Sequence, residues 1–264
     1  LIRAGLETGS VLIQVPAAGY ITEEEDRRRV GSDRIGQELA AAFAKAPVVV
    51  SSSTAGVVRE VQGGQQIVVA TAGAEPTTPG GYAAVIITGA ASLAYGERLD
   101  TLTEAMRRWM GALALGRPTG PALIVGEVPP VLWDSLVLWR PQKLSADVLS
   151  ERQELGFPPA RWVVAIEGAR ASVEVMVAQA QRALGQAQFH MPGEPYSDLA
   201  LIGEATVPGE NGDAPRLRVT VSVAPRNIQV LMGALGEARR ALSRQGSNLP
   251  QVDVNPRTLA PWPQ

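Results

Sequence analysis

Five short, almost continuously apolar runs punctuate the first half of this chain: VLIQV at 11–15, VVVSS at 48–52, QIVVAT at 66–71, AAVIITG at 83–89 and ALIVGE at 122–127. A strand that is apolar at successive positions points apolar side chains to both faces, so it needs cover on both, as in a parallel sheet between helices. The intervening stretches agree. From Asp33 to Ala44, Ile35, Leu39 and Phe43 recur every fourth residue and share one helix face, with Ser32 or Asp33 as the cap. From about Arg98 to Leu115 the stripe is Leu99, Leu102, Met106, Trp109, Met110 and Leu113. Residues 10–140 therefore read as repeated βα units of an α/β domain.

A further helical stretch, QKLSADVLSERQELG, runs to Gly156 and is followed by FPPA. Glycine and then two prolines stop a helix, and Pro158–Pro159 predicts a stiff extended connector. The expected boundary is at about 156, giving domains 1–156 and 157–264. Beyond it the pattern becomes strand WVVAIEG, helix Ser172–Leu184, strands LALIGEATV and RLRVTVSVA, helix Asn227–Leu242 and strand QVDVNP. This βαββαβ order predicts a smaller α+β, ferredoxin-like domain, with two helices on one face of a four-stranded antiparallel sheet. Alternation in RLRVTVSV predicts that Leu217, Val219, Val221 and Val223 face the helices while Arg216, Arg218, Thr220 and Ser222 face water. In the first domain, VLWDSLVLW reads as a helix with Trp133 and Trp139 in the core.

The chemistry open to such a chain is narrow. Cysteine is absent and there is one histidine, which excludes disulfides, thiolate zinc sites, a cysteine nucleophile and any cluster of two imidazoles. That histidine, His190, falls in the loop-like stretch QFHMPGEPY and is given no role. No GxxxxGK[ST] phosphate loop occurs, and the pairs Gly63–Gly64 and Gly80–Gly81 read as turns because neither joins a strand directly to a helix. No cofactor is expected. A formal net charge of −2 supplies no general attraction to phosphate, so nucleic-acid contact would need a local cluster. No apolar run approaches the ~18 residues of a membrane span, and LIRAGLETGS lacks the features of a signal peptide; the expected location is cytoplasmic.

The segment ERQELGFPPA before a strand and the closing VDVNP resemble the primosomal protein N′ (PriA replication-restart) family, whose C-terminal domain opens with an ER..LG.PP element and ends in a DVDP-like strand. Upstream, VLIQVPAAGY resembles the VLVQVPRRGY of actinobacterial members. DRIGQELAAAF with APVVVSS, and IVVATAGAEPTTPGGYAAVIITGA, resemble the second RecA-like helicase lobe. The similarity is co-linear over nearly the whole chain. It implies a degenerate RecA-like lobe followed by the C-terminal domain.

Several family features are missing. Where working members carry a motif like GTQM.AKGHDF, this chain has ATAGAEPTTPGGY. Where they carry QVAGRAGR, it has GALALGR, leaving Ala114 at the first arginine and Arg117 at the second as a residual nucleotide-interface residue. The family's arginines stabilise the charge of phosphoryl transfer, and losing one lowers the rate by about three to five orders of magnitude. The cysteine-rich zinc insert that follows the family's RGY element is replaced after Gly19–Tyr20 by ITEEEDRRRVGSDRIGQEL; its acidic run Glu23–Asp26 beside Arg27, Arg28 and Arg29 reads as a solvated segment.

The resemblance implies a replication restart or primosome assembly factor that binds forked or branched DNA without helicase activity, with single-strand-binding protein or other primosome proteins as partners. Its DNA-contact candidates are Arg152 and Arg161 beside the Pro–Pro element and Arg216 and Arg218 on one strand. An alternative is part of an active ATP-dependent 3′-to-5′ DNA helicase whose first lobe is elsewhere. A third reading, a ferredoxin-like RNA-binding module, has only Trp162 to stack a base on the strands concerned.

Overall fold

A computed structural model describes residues 1–16, 32–96, 98–185, 198–208 and 214–259. The chain divides into two compact units, Leu1–Gly96 with Asp100–Leu144, and Glu97–Leu99 with Ser145–Gln264.

In the first unit, α1 (Ile2–Thr8) leads into β1 (Val11–Val15), followed by α2 (Ser32–Ala42), β2 (Val48–Ser51), β3 (Ile67–Thr71) and β4 (Ala84–Ile87). After these come α3 (Ala90–Ala94), α4 (Thr101–Ala114), β5 (Ala122–Ile124), α5 (Pro130–Val137) and the start of α6 (Pro141–Leu155). The strands form one five-stranded sheet in the order β2-β3-β1-β4-β5, with every pair parallel. All five residues of β1 are buried, as an apolar central strand requires. Val11, Ile13, Val15, Ile67 and Val69 form a core against which Ile2 and Leu6 of α1 and the Ile35–Leu39–Phe43 stripe pack. On α4, Met106 and Trp109 are buried at 3% and 1% exposure.

Helix α4 starts at Thr101, later than the stripe predicts, because Arg98 forms a β-bridge and Leu99 and Asp100 a turn. Leu99 N–H donates to the Arg257 carbonyl at 2.8 Å, and Arg98 bridges Thr258 antiparallel, so this pair belongs to the second unit. The Pro–Pro element also differs from expectation. Residues 157–161 form a turn closed by Arg161 N–H to the Phe157 carbonyl at 3.1 Å, with a cis Pro158–Pro159 bond.

The second unit contains β6 (Trp162–Ala169), α7 (Arg170–Ala183), β7 (Leu199–Val207), β8 (Arg216–Val223), α8 (Ile228–Arg244) and β9 (Gln251–Val254). Its sheet is antiparallel throughout, in the order β7-β8-β6-β9. Leu217, Val219, Val221 and Val223 join Val164 and Ile166 of β6, Val173 and Met176 of α7, and Leu231 and Leu235 of α8 in one core. The apolar half of the β8 alternation is thus placed as expected.

The polar half is not. Arg218, Thr220 and Ser222 are 2%, 4% and 2% exposed, so the expectation that they face water is corrected. For Arg218 and Ser222, partners make the burial tolerable. Arg218 Nη1 meets Glu167 Oε2 at 3.0 Å, and the Ser222 hydroxyl accepts from Arg161 Nε at 2.7 Å and donates to the Gly156 carbonyl at 2.8 Å. Alternation here separates an apolar buried face from a polar buried one.

At the end of β6, Gly168 lies against Pro250; a Cβ there would sit 2.9 Å from Pro250 Cα and 3.1 Å from its Cβ. Because backbone cannot swing aside as a side-chain tip can, Gly168→Ala is expected to lower stability by about 1–3 kcal/mol in urea denaturation. Gly203→Ala, where a Cβ meets nothing within 4 Å, is the control and should stay within about 0.5 kcal/mol.

Candidate nucleic-acid interface

In the first unit, the stretch standing where a helicase coupling motif would be is fixed at each residue from Ala72 to Pro76. Arg108 Nη1 donates to the Ala72 carbonyl, and Gly73 N–H donates to both Glu75 carboxylate oxygens at 2.9 and 3.0 Å. The Ser51 hydroxyl donates to the Ala74 carbonyl at 2.6 Å, and the Tyr82 hydroxyl to that of Pro76 at 2.8 Å. Gln14, 2% exposed on β1, donates through Nε2 to Glu75 Oε1 at 2.5 Å. Burial, helped by the Glu75 charge, pushes the Tyr82 phenol well above its ordinary range, so it remains a donor. A loop held by this many bonds acts as a structural plug.

Arg108 is itself held by Glu104 through Nε at 2.6 Å, and Arg107 reaches the same carboxylate at 2.8 Å. Hydrogen bonds from Arg107 first, and then Arg108, outweigh burial and hold the Glu104 carboxyl down at about 2, against an ordinary 4.5. A carboxyl depressed on folding stabilises the fold above its unfolded pKa and loses that contribution as pH falls through the folded value. Between pH 4.5 and 2 this site should therefore cost about 1–2 kcal/mol, less than the full shift implies because the Arg107 partner is 66% exposed and screened by solvent. Chemical denaturation at stepped pH checks this: Glu104→Gln should be less stable at neutral pH and show a flatter acid decline.

Arg117 is engaged structurally. Its Nη1 donates to the Thr8 carbonyl at 3.1 Å and its Nε to that of Gly81 at 3.3 Å. Its Nη2 lies so close over Gly9 that a Cβ there would be 2.6 Å away. Beside it, a groove of about 590 Å³ is lined by Ala114, Ile124, Trp133, Val137 and Trp139. Trp133 and Trp139 are 47% and 51% exposed, which corrects their expected place in the core. Trp133 lies within α5, away from its buried residues Leu132, Ser135 and Leu136; for Trp139 the reason is where the helix ends, since α5 stops at Val137 and Trp139 adopts a left-handed φ of 54°, which takes it off the helical stripe.

The four arginines singled out in the second unit do not form one patch. Arg152 donates through Nη1 to the Pro158 carbonyl at 3.0 Å and through Nη2 to that of Leu99, tying the end of α6 to the turn. Arg161 is fixed on Ser222, and its pKa is held below the ordinary value mainly by burial. Arg216 and Arg218 share one carboxylate: Arg216 Nη2 lies 3.0 Å from Glu167 Oε1, and Arg218 Nη1 lies 3.0 Å from Glu167 Oε2. The Arg218 and Glu167 side chains are 2% and 3% exposed, whereas that of Arg216 is 33% exposed.

Arg216 faces a cleft of about 670 Å³ at the end of the sheet, also lined by Glu167, Arg170, Asn248 and Gln251. Sequence reasoning missed Glu167 and Arg170. Glu167 had a signal, since an acid inside the apolar run WVVAIEG requires a cationic partner once buried.

Among the described residues no group of three or more His, Cys, Asp or Glu could hold a metal ion, and no helix is long and apolar enough to cross a membrane. His190, Gly19–Tyr20 and the charged run at 23–29 lie outside the described residues.

No family model matches the chain. Among solved structures, a Bacillus cereus protein related to NIF3 aligns at 14% identity over 66% of this chain and 51% of its own, with a TM-score of 0.22, too low to bear on the fold. Curated relatives are more informative. The probable replication restart protein PriA of Mycobacterium tuberculosis (strain H37Rv) is 30% identical over 243 residues, and that of Mycobacterium leprae (strain TN) is 32% identical over 238. Each alignment takes in 86% of this chain, which spans 35% and 34% of those relatives. Over 86% of its length, this chain is a homologue of the PriA replication restart proteins and aligns with about a third of theirs.

Proposed function

We propose that the chain is the non-catalytic, DNA-engaging C-terminal part of a PriA-type replication restart factor. Its first unit is read as a degenerate RecA-like lobe kept as a scaffold. Its second is read as a ferredoxin-like domain from about 157 to 264, a reading supported by its βαββαβ order and fully antiparallel β7-β8-β6-β9 sheet. The observation that carries the proposal is the 30% identity to PriA over 86% of the chain. The absence of ATP turnover rests on Ala114 and on Arg117, whose guanidinium is committed to the Thr8 and Gly81 carbonyls.

DNA contact in this reading is weak and local, with forked or branched DNA preferred, and single-strand-binding protein or other primosome proteins as further partners in the cytoplasm. Of the four arginines, Arg216 is the one whose side chain reaches solvent at a cleft. Arg152, Arg161 and Arg218 act by holding the unit together. No cofactor enters the reading.

A second reading, part of an active ATP-dependent 3′-to-5′ helicase, is favoured by the chain's span of about a third of its relatives. Fluorescence anisotropy of labelled forked DNA at low salt tests the first. Saturable binding that weakens with salt supports it, and no binding at the lowest salt sinks it.

A further inference from the structure

The cleft at the end of the second unit's sheet has a built cationic wall. Glu167, 97% buried by its 3% side-chain exposure, stands between two arginines and accepts from each at 3.0 Å. One carboxylate against two guanidiniums leaves an excess positive charge, and the exposed share of that excess is on Arg216. Among the described residues the Arg216 guanidinium meets Glu167 alone, through Nη2, so its remaining donors are available at the cleft. Because Glu167 is itself immobilised between β6 and β8, Arg216 is held in place before any ligand arrives, which lowers the ordering cost of binding.

The same cleft is lined by Arg170, which sits where β6 passes directly into α7. Its acidic neighbours hold it loosely, with Glu174 at 3.5 Å and Glu204 at 3.7 Å and all three side chains more than half exposed. Exposed pairs of this length contribute little, so Arg170 can exchange them for a better anion. Asn248 and Gln251 line the same cleft and add neutral donors and acceptors. Among the described lining residues Glu167 is the one acid, and both its oxygens are already engaged.

From this arrangement we infer that the cleft binds a phosphate group of a nucleic-acid strand, with Arg216 as the fixed contact and Arg170 as the one that swings in. The strand as its source rests on the function proposed above; phosphate as the ligand rests on the cleft. Guanidiniums bind phosphate through paired, charge-assisted bonds, and a cleft of about 670 Å³ accommodates a nucleotide-sized group.

The test uses the full chain and two probes. Pyrophosphate is titrated while the arginine Nε–Hε resonances are followed by NMR, and forked DNA is titrated by anisotropy across a salt series. The expected result is saturable pyrophosphate shifts at Arg216 and Arg170, about five- to tenfold weaker pyrophosphate binding in Arg216→Gln, and a DNA salt slope reduced by about one contact. Arg170→Gln, at an exposed side chain, should weaken pyrophosphate two- to fivefold and serves if Arg216→Gln folds poorly.

Unchanged pyrophosphate affinity in the variants, or shifts confined to other arginines, overturns the inference. So does an acidic peptide that displaces pyrophosphate at equal concentration, because the cleft would then be a protein-docking site. If wild type binds pyrophosphate at the cleft but no forked DNA, the phosphate site stands and the DNA-binding function fails. If it binds DNA with an unchanged slope in both variants, the function stands and the cleft is not the strand's contact.

Discussion

Replacing Glu167 by Ala is expected to destabilise the second unit by about 3–5 kcal/mol. The reason is asymmetric. Arg218 is 2% exposed on β8, and removing the carboxylate that neutralises it leaves a guanidinium in a place where water cannot take over. Arg216, at 33% exposure, loses the same partner and can turn to solvent. The double variant Glu167→Met with Arg218→Met should therefore recover much of the loss, because no charge is then stranded. Urea denaturation of wild type, Glu167→Met, Arg218→Met and the double variant, read as a double-mutant cycle beside Glu167→Ala, measures this. A Glu167→Ala loss under about 1 kcal/mol would show that the triad is not what closes this face of the sheet.

ATP with magnesium and forked DNA is expected to yield no phosphate release above background, at least about three orders of magnitude below a working helicase. The sequence carries no phosphate loop, Ala114 stands where the family resemblance puts the first finger arginine, and Arg117 holds Thr8 and Gly81. Restoring the finger by Ala114→Arg should leave release at background, since the stretch from Ala72 to Pro76 is pinned by Arg108, Ser51, Gln14 and Tyr82 and has no freedom to follow a nucleotide. DNA-stimulated turnover by the unmodified chain would favour the helicase reading.

The elements of both units were legible because their signals are local. Continuous apolar runs gave β1, β3 and β4, and a fourfold spacing of Ile35, Leu39 and Phe43 gave the packed face of α2. What escaped depends on residues far apart in the chain. The partners of Arg117 lie 36 and 109 residues away, and Glu167 is 51 residues from Arg218. Alternation in β8 marks two faces correctly but does not say whether the polar one meets water, so Arg218 was read as exposed when Glu167 allows its burial. Trp139 failed for a different reason: α5 ends two residues before it, and a helical stripe read past its last turn assigns the wrong face, whereas Trp133 lies inside α5 but off its buried face. Among the candidate DNA contacts, Arg216 was visible as a strand residue, whereas Arg170 fell between the predicted strand WVVAIEG and the predicted helix Ser172–Leu184 and drew no notice, because the cleft forms only when 248–251 folds beside it.

The central claim, that this PriA homologue engages branched DNA through a local site and not through overall charge, is tested most directly by competition. Labelled forked DNA bound to the full chain at low salt is displaced with unlabelled fork or with linear duplex of the same length and end structure. The account predicts that the fork competes several-fold better and that added salt weakens both, with a log–log slope corresponding to one or two phosphate contacts at about 0.9 each. Equal competition by linear duplex, or no complex to displace, would contradict it.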